Sequence, residues 1–302
     1  MPEKNNKVWI GRIILLAVIL IAALFMFTWS GSIRCSKIQG WCKVYWGIQT
    51  MISGKQQPSI LILSNPADGT GMGNPERLRE LLTNKEIAGY HPNIGNINYF
   101  SSDQLSGVSL VIVDHARQIS TNTIITLMNY VTQGGRLIWI GDSGLEKATE
   151  DKYFENPITK KYSGWQRVDD QNNWIRFDTY LGVKYVSNFC NLKDCSSDIR
   201  TGKLVASSDN PLTRGLKQNL LIYDDYAIVK LIEPNPTPLK VDFGSNLIDN
   251  DSKNYGNIFP LIVTSHSNKV AYYAIPPEML AEEDDAEKYY LIIENLVAGM
   301  FN

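Results

Sequence analysis

Four polar residues, Asp114, His115, Asp142 and Ser143, follow directly on two apolar runs at 110–113 and 137–140. A hydroxyl, an imidazole and two carboxylates are what nucleophilic hydrolysis requires. Ser143 would attack, His115 would take its proton, and Asp114 or Asp142 would orient the ring. A second candidate is the loop Asp68-Gly69-Thr70-Gly71-Met72-Gly73, whose glycines let backbone amides approach an anion at a helix N-terminus. Asp68, Asp114, His115 and Asp142 also make a conceivable metal set, although a single histidine among carboxylates suits a solvated loop cluster equally. Each candidate has a plainer alternative. Asp and Ser after a strand commonly cap the next helix, residues 141–144 lack the G-x-S-x-G spacing, and the glycine loop is neither G-x-G-x-x-G nor a Walker motif. No metal and no cofactor is expected.

These groups share an edge only if the runs around them are strands of one parallel sheet. Residues 59–63, 110–113 and 137–140 are short and apolar on both sides, as strands covered on both faces must be. Asn74-Pro75 opens a helix with Leu78, Leu81 and Leu82 on its buried stripe. A second helix starts at Ser120 or Thr121, buries Ile124, Leu127, Met128 and Val131, and ends at Gly134-Gly135. A further strand is expected at 96–100. Residues 150–208 are polar and irregular and read as an excursion. Strands of an antiparallel extension are expected at 220–231 and 238–243, then strands at 259–264 and 270–275. A closing helix carries Tyr289, Ile292, Ile293, Leu296, Val297 and Met300 at helical spacing. The fold class is therefore α/β, with candidate residues at the carboxyl ends of the strands, where open parallel sheets place their sites.

Ahead of this domain, residues 13–33 carry no charge, and about 20 apolar residues suffice to cross a bilayer. The layout reads as a short tail (1–12), a transmembrane helix (13–33), an aromatic juxtamembrane stalk (34–57) and an external domain (58–302). A cleaved signal peptide competes, but the run is long for one and no A-x-A site follows it. Basic residues flank both ends of the span, so charge does not orient it. All four cysteines (Cys35, Cys42, Cys190 and Cys195) lie beyond it in two close pairs, which suits disulfides in an oxidising, extracytoplasmic compartment better than zinc. A formal net charge of −2 offers no nucleic-acid surface.

Three segments resemble the class I glutamine amidotransferase-like superfamily, which has a flavodoxin-like fold. They are LMNYVTQGGRLIWIGDSG (127–144), NPLTRGL (210–216) and PLIVTSHSNKVAYYAIPPEML with the closing helix. The similarity is to non-amidotransferase branches, namely membrane-anchored external domains, ABC-transporter auxiliary subunits and trehalose-utilisation-type domains. It implies a flavodoxin-like sheet sandwiched by helices from residue 58 to the C-terminus. It does not carry the family's catalysis. Gly141-Asp142-Ser143-Gly144 has no cysteine where the nucleophile elbow belongs, and Pro276 stands where the late F-H-P-E motif has histidine, leaving only Glu278. The expected function is a single-pass membrane protein whose inactive external domain binds or scaffolds, in contact with the bilayer and a membrane-protein partner such as a transporter. The alternative is an extracytoplasmic hydrolase using Ser143 and His115.

Overall fold

The computed structural model describes residues 3–29, 33, 38, 41–53, 57–65, 67, 69, 71–155, 162–193, 195, 202–207, 209–222, 224–249, 251–282 and 286–301. The chain divides into two compact units, Met1–Gln57 and Pro58–Asn302.

Among the described residues the first unit contains two helices, α1 (Glu3–Trp29) and α2 (Trp41–Ser53). The stretch Trp9–Trp29 in α1 is 21 residues long and apolar enough to cross a membrane. Within the expected stalk, Trp41–Ser53 is helical. Trp41 Nε1 donates to Thr28 Oγ1 at 2.8 Å, and the Tyr45 ring lies 5.4 Å from that of Phe25.

The second unit is built on one nine-stranded sheet. In chain order its strands are β1 (Ile60–Ser64), β2 (Asn93–Asn96), β3 (Leu110–Val113), β4 (Arg136–Ile140), β5 (Gly202–Ala206), β6 (Leu221–Ile222), β7 (Leu239–Ile248), β8 (Asn254–Ser265) and β9 (Val270–Tyr273). Across the sheet they run β6-β5-β7-β8-β9-β4-β3-β1-β2. The five strands from β9 to β2 are parallel, and β5 to β8 extend them antiparallel. Every residue of β3 and β9 is buried, as two-sided coverage demands. From β1 the chain crosses to β2 on one side and reaches β3 on the other, so the connections reverse between β1 and β3. A crevice at the carboxyl ends belongs at such a reversal.

The helices follow their local signals. Pro75–Thr83 is capped by Asn74, whose side chain accepts from Arg77 N, and Thr121–Thr132 by Ser120, whose hydroxyl accepts from Thr123 N. Gly134, at φ +106°, lets the chain turn into β4. The closing helix is Tyr290–Ala298.

Three expectations need correction. The second strand lies at Asn93–Asn96, ahead of the expected 96–100, because Asn96 Oδ1 accepts from Asn98 N and bends the chain out of the sheet. Residues 150–208 are more regular than their polarity suggests. They hold a three-stranded antiparallel sheet (Lys152–Glu155, Tyr162–Val168, Trp174–Arg176) and a strand, Val183–Asn188, paired with Ala227–Leu231. The 220–231 segment breaks into two strands, interrupted at Asp225, whose Oδ1 accepts from Cys190 N and Tyr226 N.

Candidate functional site

The carboxyl ends of β1, β3, β4 and β9 converge as the pattern anticipates. Asp114 extends β3, Asp142 and Ser143 follow β4, and Glu278 arrives from the turn after β9. All four are fully buried. Their neighbour is the glycine loop after β1.

That loop is held from several sides. Asp142 Oδ1 accepts from Met72 N at 2.9 Å, and Glu278 Oε1 accepts from Asn74 N at 2.7 Å. His115 N donates to Met72 O at 3.1 Å, while Asn65 N donates to His115 O at 3.1 Å. Between the two carboxylate-bound amides sits Gly73, at φ +103°. A Cβ there would lie 2.0 Å from Asp114 Oδ1 and 3.1 Å from Glu278 Oε1. Only glycine allows both that backbone conformation and that approach.

Asp114 and Glu278 form a coupled pair. Burial pushes the Asp114 carboxyl well above its ordinary range. The negative charge of Glu278, a side-chain hydrogen bond to it, and the charge of Asp142 push the same way, against a backbone hydrogen bond at His115. Two ionised carboxylates have no hydrogen between them, and the Asp114 oxygens then have no partner. Burial and the neighbouring charges thus favour the protonated form of Asp114, while Glu278 accepts from Asn74 N. Asp142 is balanced differently, because its Oδ2 lies 3.4 Å from Arg117 Nη1, and Arg117 Nε in turn lies 2.9 Å from Glu146 Oε1.

The loops after β3 and β4 are zipped together. Gly144 N donates to Ala116 O, Glu146 N donates to Arg117 O, and Gln118–Ile119 pairs in parallel with Glu146–Lys147. Arg167, from the excursion, is buried beneath them. Its Nη1 donates to Ile119 O, its Nη2 to Gly144 O (2.6 Å) and Glu146 O (2.9 Å), and its Nε to Gly164 O (3.1 Å). Desolvation brings this guanidinium down to about 10, with Tyr153 and Asp151 opposing the fall. Trp139 Nε1 and Trp165 Nε1 both donate to Ser143 O at 2.8 Å.

The structure thus brings Asp114, His115, Asp142 and Ser143 to one edge without joining them as a hydrolytic set. Ser143 Oγ is buried with no hydrogen-bond partner, and so is His115 Nδ1. The bond from nucleophile to base that hydrolysis needs is not formed. His115 itself sits at φ +48° and contributes its backbone to the glycine loop. Among the loop candidates, Gly71 packs on the His115 backbone, where a Cβ would come within 3.2 Å, Gly69 faces open space, and Asp68 lies outside the described residues. Among the described residues no group of three His, Cys, Asp or Glu side chains is arranged to hold a metal ion. Cys190 and Cys195 form a disulfide. Cys35 and the Cys42 side chain lie outside the described residues.

Sequence reasoning marked Glu278 as the remnant of a motif but not as the partner of Asp114. It also passed over Arg117 and Arg167. Arg117 had a signal, a cation four residues beyond the end of a buried strand. Arg167 had none, being one arginine in a polar segment.

No family model and no curated protein matches the chain by sequence. Solved structures do match. A cold-adapted β-galactosidase from Rahnella sp. R3 superposes with TM-score 0.53 at 13% identity over 86% of this chain and 35% of its own. A ThuA-like protein from Bacteroides uniformis gives 0.51 at 13% identity over 78% of this chain and 89% of its own. A β-galactosidase from Bacillus circulans gives 0.50 at 10% identity over 80% and 30%. The chain spans about a third of the length of the two galactosidases and most of the ThuA-like protein. At such identities the likeness is one of fold alone. The ThuA-like match agrees, at that level, with the amidotransferase-like resemblance of the sequence.

Proposed function

We propose that this chain is a single-pass membrane protein whose external, amidotransferase-like domain of flavodoxin-like topology binds or scaffolds a membrane partner without catalysis. The observation that carries this reading is the occupation of the carboxyl edge. Asp142 and Glu278 accept from loop amides, burial beside Glu278 favours the protonated form of Asp114, and Ser143 Oγ meets no base among the described residues. Groups committed to holding backbone are not available to a substrate. The parallel strand order, reversing between β1 and β3, supports the flavodoxin-like topology. The apolar stretch Trp9–Trp29 supports the anchor, and the Cys190–Cys195 disulfide supports an oxidising side for the domain.

The test uses the full chain. In sealed vesicles the anchor resists extraction at alkaline pH, and the domain is cleaved by protease from one side only. The purified chain in detergent is then offered ester, amide, glutamine and glycoside substrates. The expected result is no turnover above that of the His115→Ala variant. A saturable activity lost in His115→Ala or Ser143→Ala overturns the non-catalytic reading in favour of the hydrolase.

A further inference from the structure

The juxtamembrane helix α2 has an apolar flank that nothing in its own unit covers. Val44 is 46% exposed, Met51 90% and Ile52 72%, and Ile48 is half-buried on the same side. Positions 44, 48, 51 and 52 recur at helical spacing, so they form one stripe. The stripe borders the residues that meet α1, which are Trp41 through its bond to Thr28 and Tyr45 through its ring contact with Phe25. As α2 advances from 41 to 45, its contacts on α1 retreat from 28 to 25. The two helices are therefore antiparallel where they touch. On α1 the half-buried residues here are 23–25 and 28, so α2 packs on the last two turns of the apolar stretch.

The polar groups of this pair are satisfied from within. Thr28 Oγ1 donates to Leu24 O at 2.8 Å and accepts from Trp41 Nε1. Gln49, a buried amide, donates from Nε2 to Tyr45 OH at 3.1 Å. Such internal pairing is what a medium without hydrogen-bonding partners demands. In water it would leave a row of large apolar side chains exposed for no return.

We infer that α1 and α2 form a membrane-seated helical hairpin, with the Val44, Ile48, Met51 and Ile52 stripe of α2 facing acyl chains of the leaflet where α1 ends. A helix of 13 residues is about 20 Å long, so when packed antiparallel on α1 it stays within about the depth of one leaflet. Met26 and Phe27 of α1 are exposed as well. The domain is thus joined to the bilayer by two elements rather than one flexible tether. This inference rests on the membrane-anchor reading.

The test places the full chain in phosphatidylcholine vesicles doped with phosphatidylcholine bearing a diazirine on its acyl chain. After photolysis, labelled residues are mapped by mass spectrometry. Label on Val44, Met51 and Ile52 should rise to the level on Leu16 and Ile19, with Tyr99 and Ile258 remaining at background. Label on Leu16 and Ile19 but none on α2 overturns the hairpin and leaves the anchor standing. If that result comes with cross-links between copies through 44–52, a second copy covers the stripe. No label on any of these residues overturns the anchor itself.

Discussion

Replacing Gly73 by alanine tests whether the glycine loop is seated on the carboxyl pair. Two costs follow from the geometry. An L-residue at φ +103° carries backbone strain of about 1–3 kcal/mol. The new Cβ would also lie 2.0 Å from Asp114 Oδ1, far inside contact distance, with the Asp114 Cγ only 2.9 Å away. Asp114 is fixed at the buried end of β3, so either its carboxyl rotates off Glu278 or the loop lifts and loses the Met72 and Asn74 amide bonds. Breaking a buried hydrogen bond adds about 1–3 kcal/mol. The expected total is about 3–5 kcal/mol, a fall in melting temperature of roughly 10 °C for a domain of this size.

The assay is near-ultraviolet circular dichroism of the full chain in detergent, with Gly69→Ala as the control. Gly69 lies in the same loop with nothing within 4 Å of its Cβ position, so that variant should melt within about 2 °C of wild type. Adding Asp114→Ala to Gly73→Ala removes the colliding carboxyl, and the double variant should be less destabilised than the sum of the singles. Equal melting of the two alanine variants, or strict additivity in the double, refutes the seating.

Other outcomes are expected at the same edge. Arg167→Met strips four carbonyls of a shared donor, and calorimetry should show a loss of about 3–5 kcal/mol, with Arg167→Lys recovering part of it. The Asp114 carboxyl titrates higher folded than unfolded, so its stabilising contribution is complete below the unfolded value and disappears as pH rises through the folded one. Melting temperature should therefore fall as pH rises from the ordinary carboxylate range, and more gently in Glu278→Gln, which removes the neighbouring charge. Some slope should remain, because Asp225 is shifted upward too, chiefly by burial. Ser143→Ala deletes a buried hydroxyl with no partner, so thermal melting should move by less than about 1 kcal/mol equivalent.

What the sequence revealed follows the range of its signals. Period and run length are local, so β1, β3, β4, the two capped helices and the apolar N-terminal stretch were all legible. Asp114 and Asp142 were placed at the correct edge because a parallel strand determines where its next residue falls. The β2 strand was displaced because one Asx turn at Asn96 outweighs the β-propensity of the aromatic residues that follow it. Tyr99, read as strand, is 85% exposed. The Asp114–Glu278 pair was invisible for another reason. Its members lie on opposite sides of the whole antiparallel extension, and no local pattern records that β9 returns beside β4.

The acids at this edge sharpen the functional question. Burying three carboxyls is costly unless each is compensated. Here Asp142 has Arg117 and the Met72 amide, Glu278 has the Asn74 amide, and burial beside Glu278 favours the neutral form of Asp114. Two of the three compensations come from one loop, so that loop occupies the reversal between β1 and β3 instead of merely lining it. Any ligand entering there would have to displace Met72–Asn74 and leave Asp142 and Glu278 short of a donor. Substrate carboxylates or phosphates would add charge to acids already crowded together. A cationic or amide-bearing segment could replace the lost donors, but only by opening the loop. If the domain binds a partner as proposed, the closed loop directs that contact to its outer faces, with the carboxyl edge fixing the framework behind them.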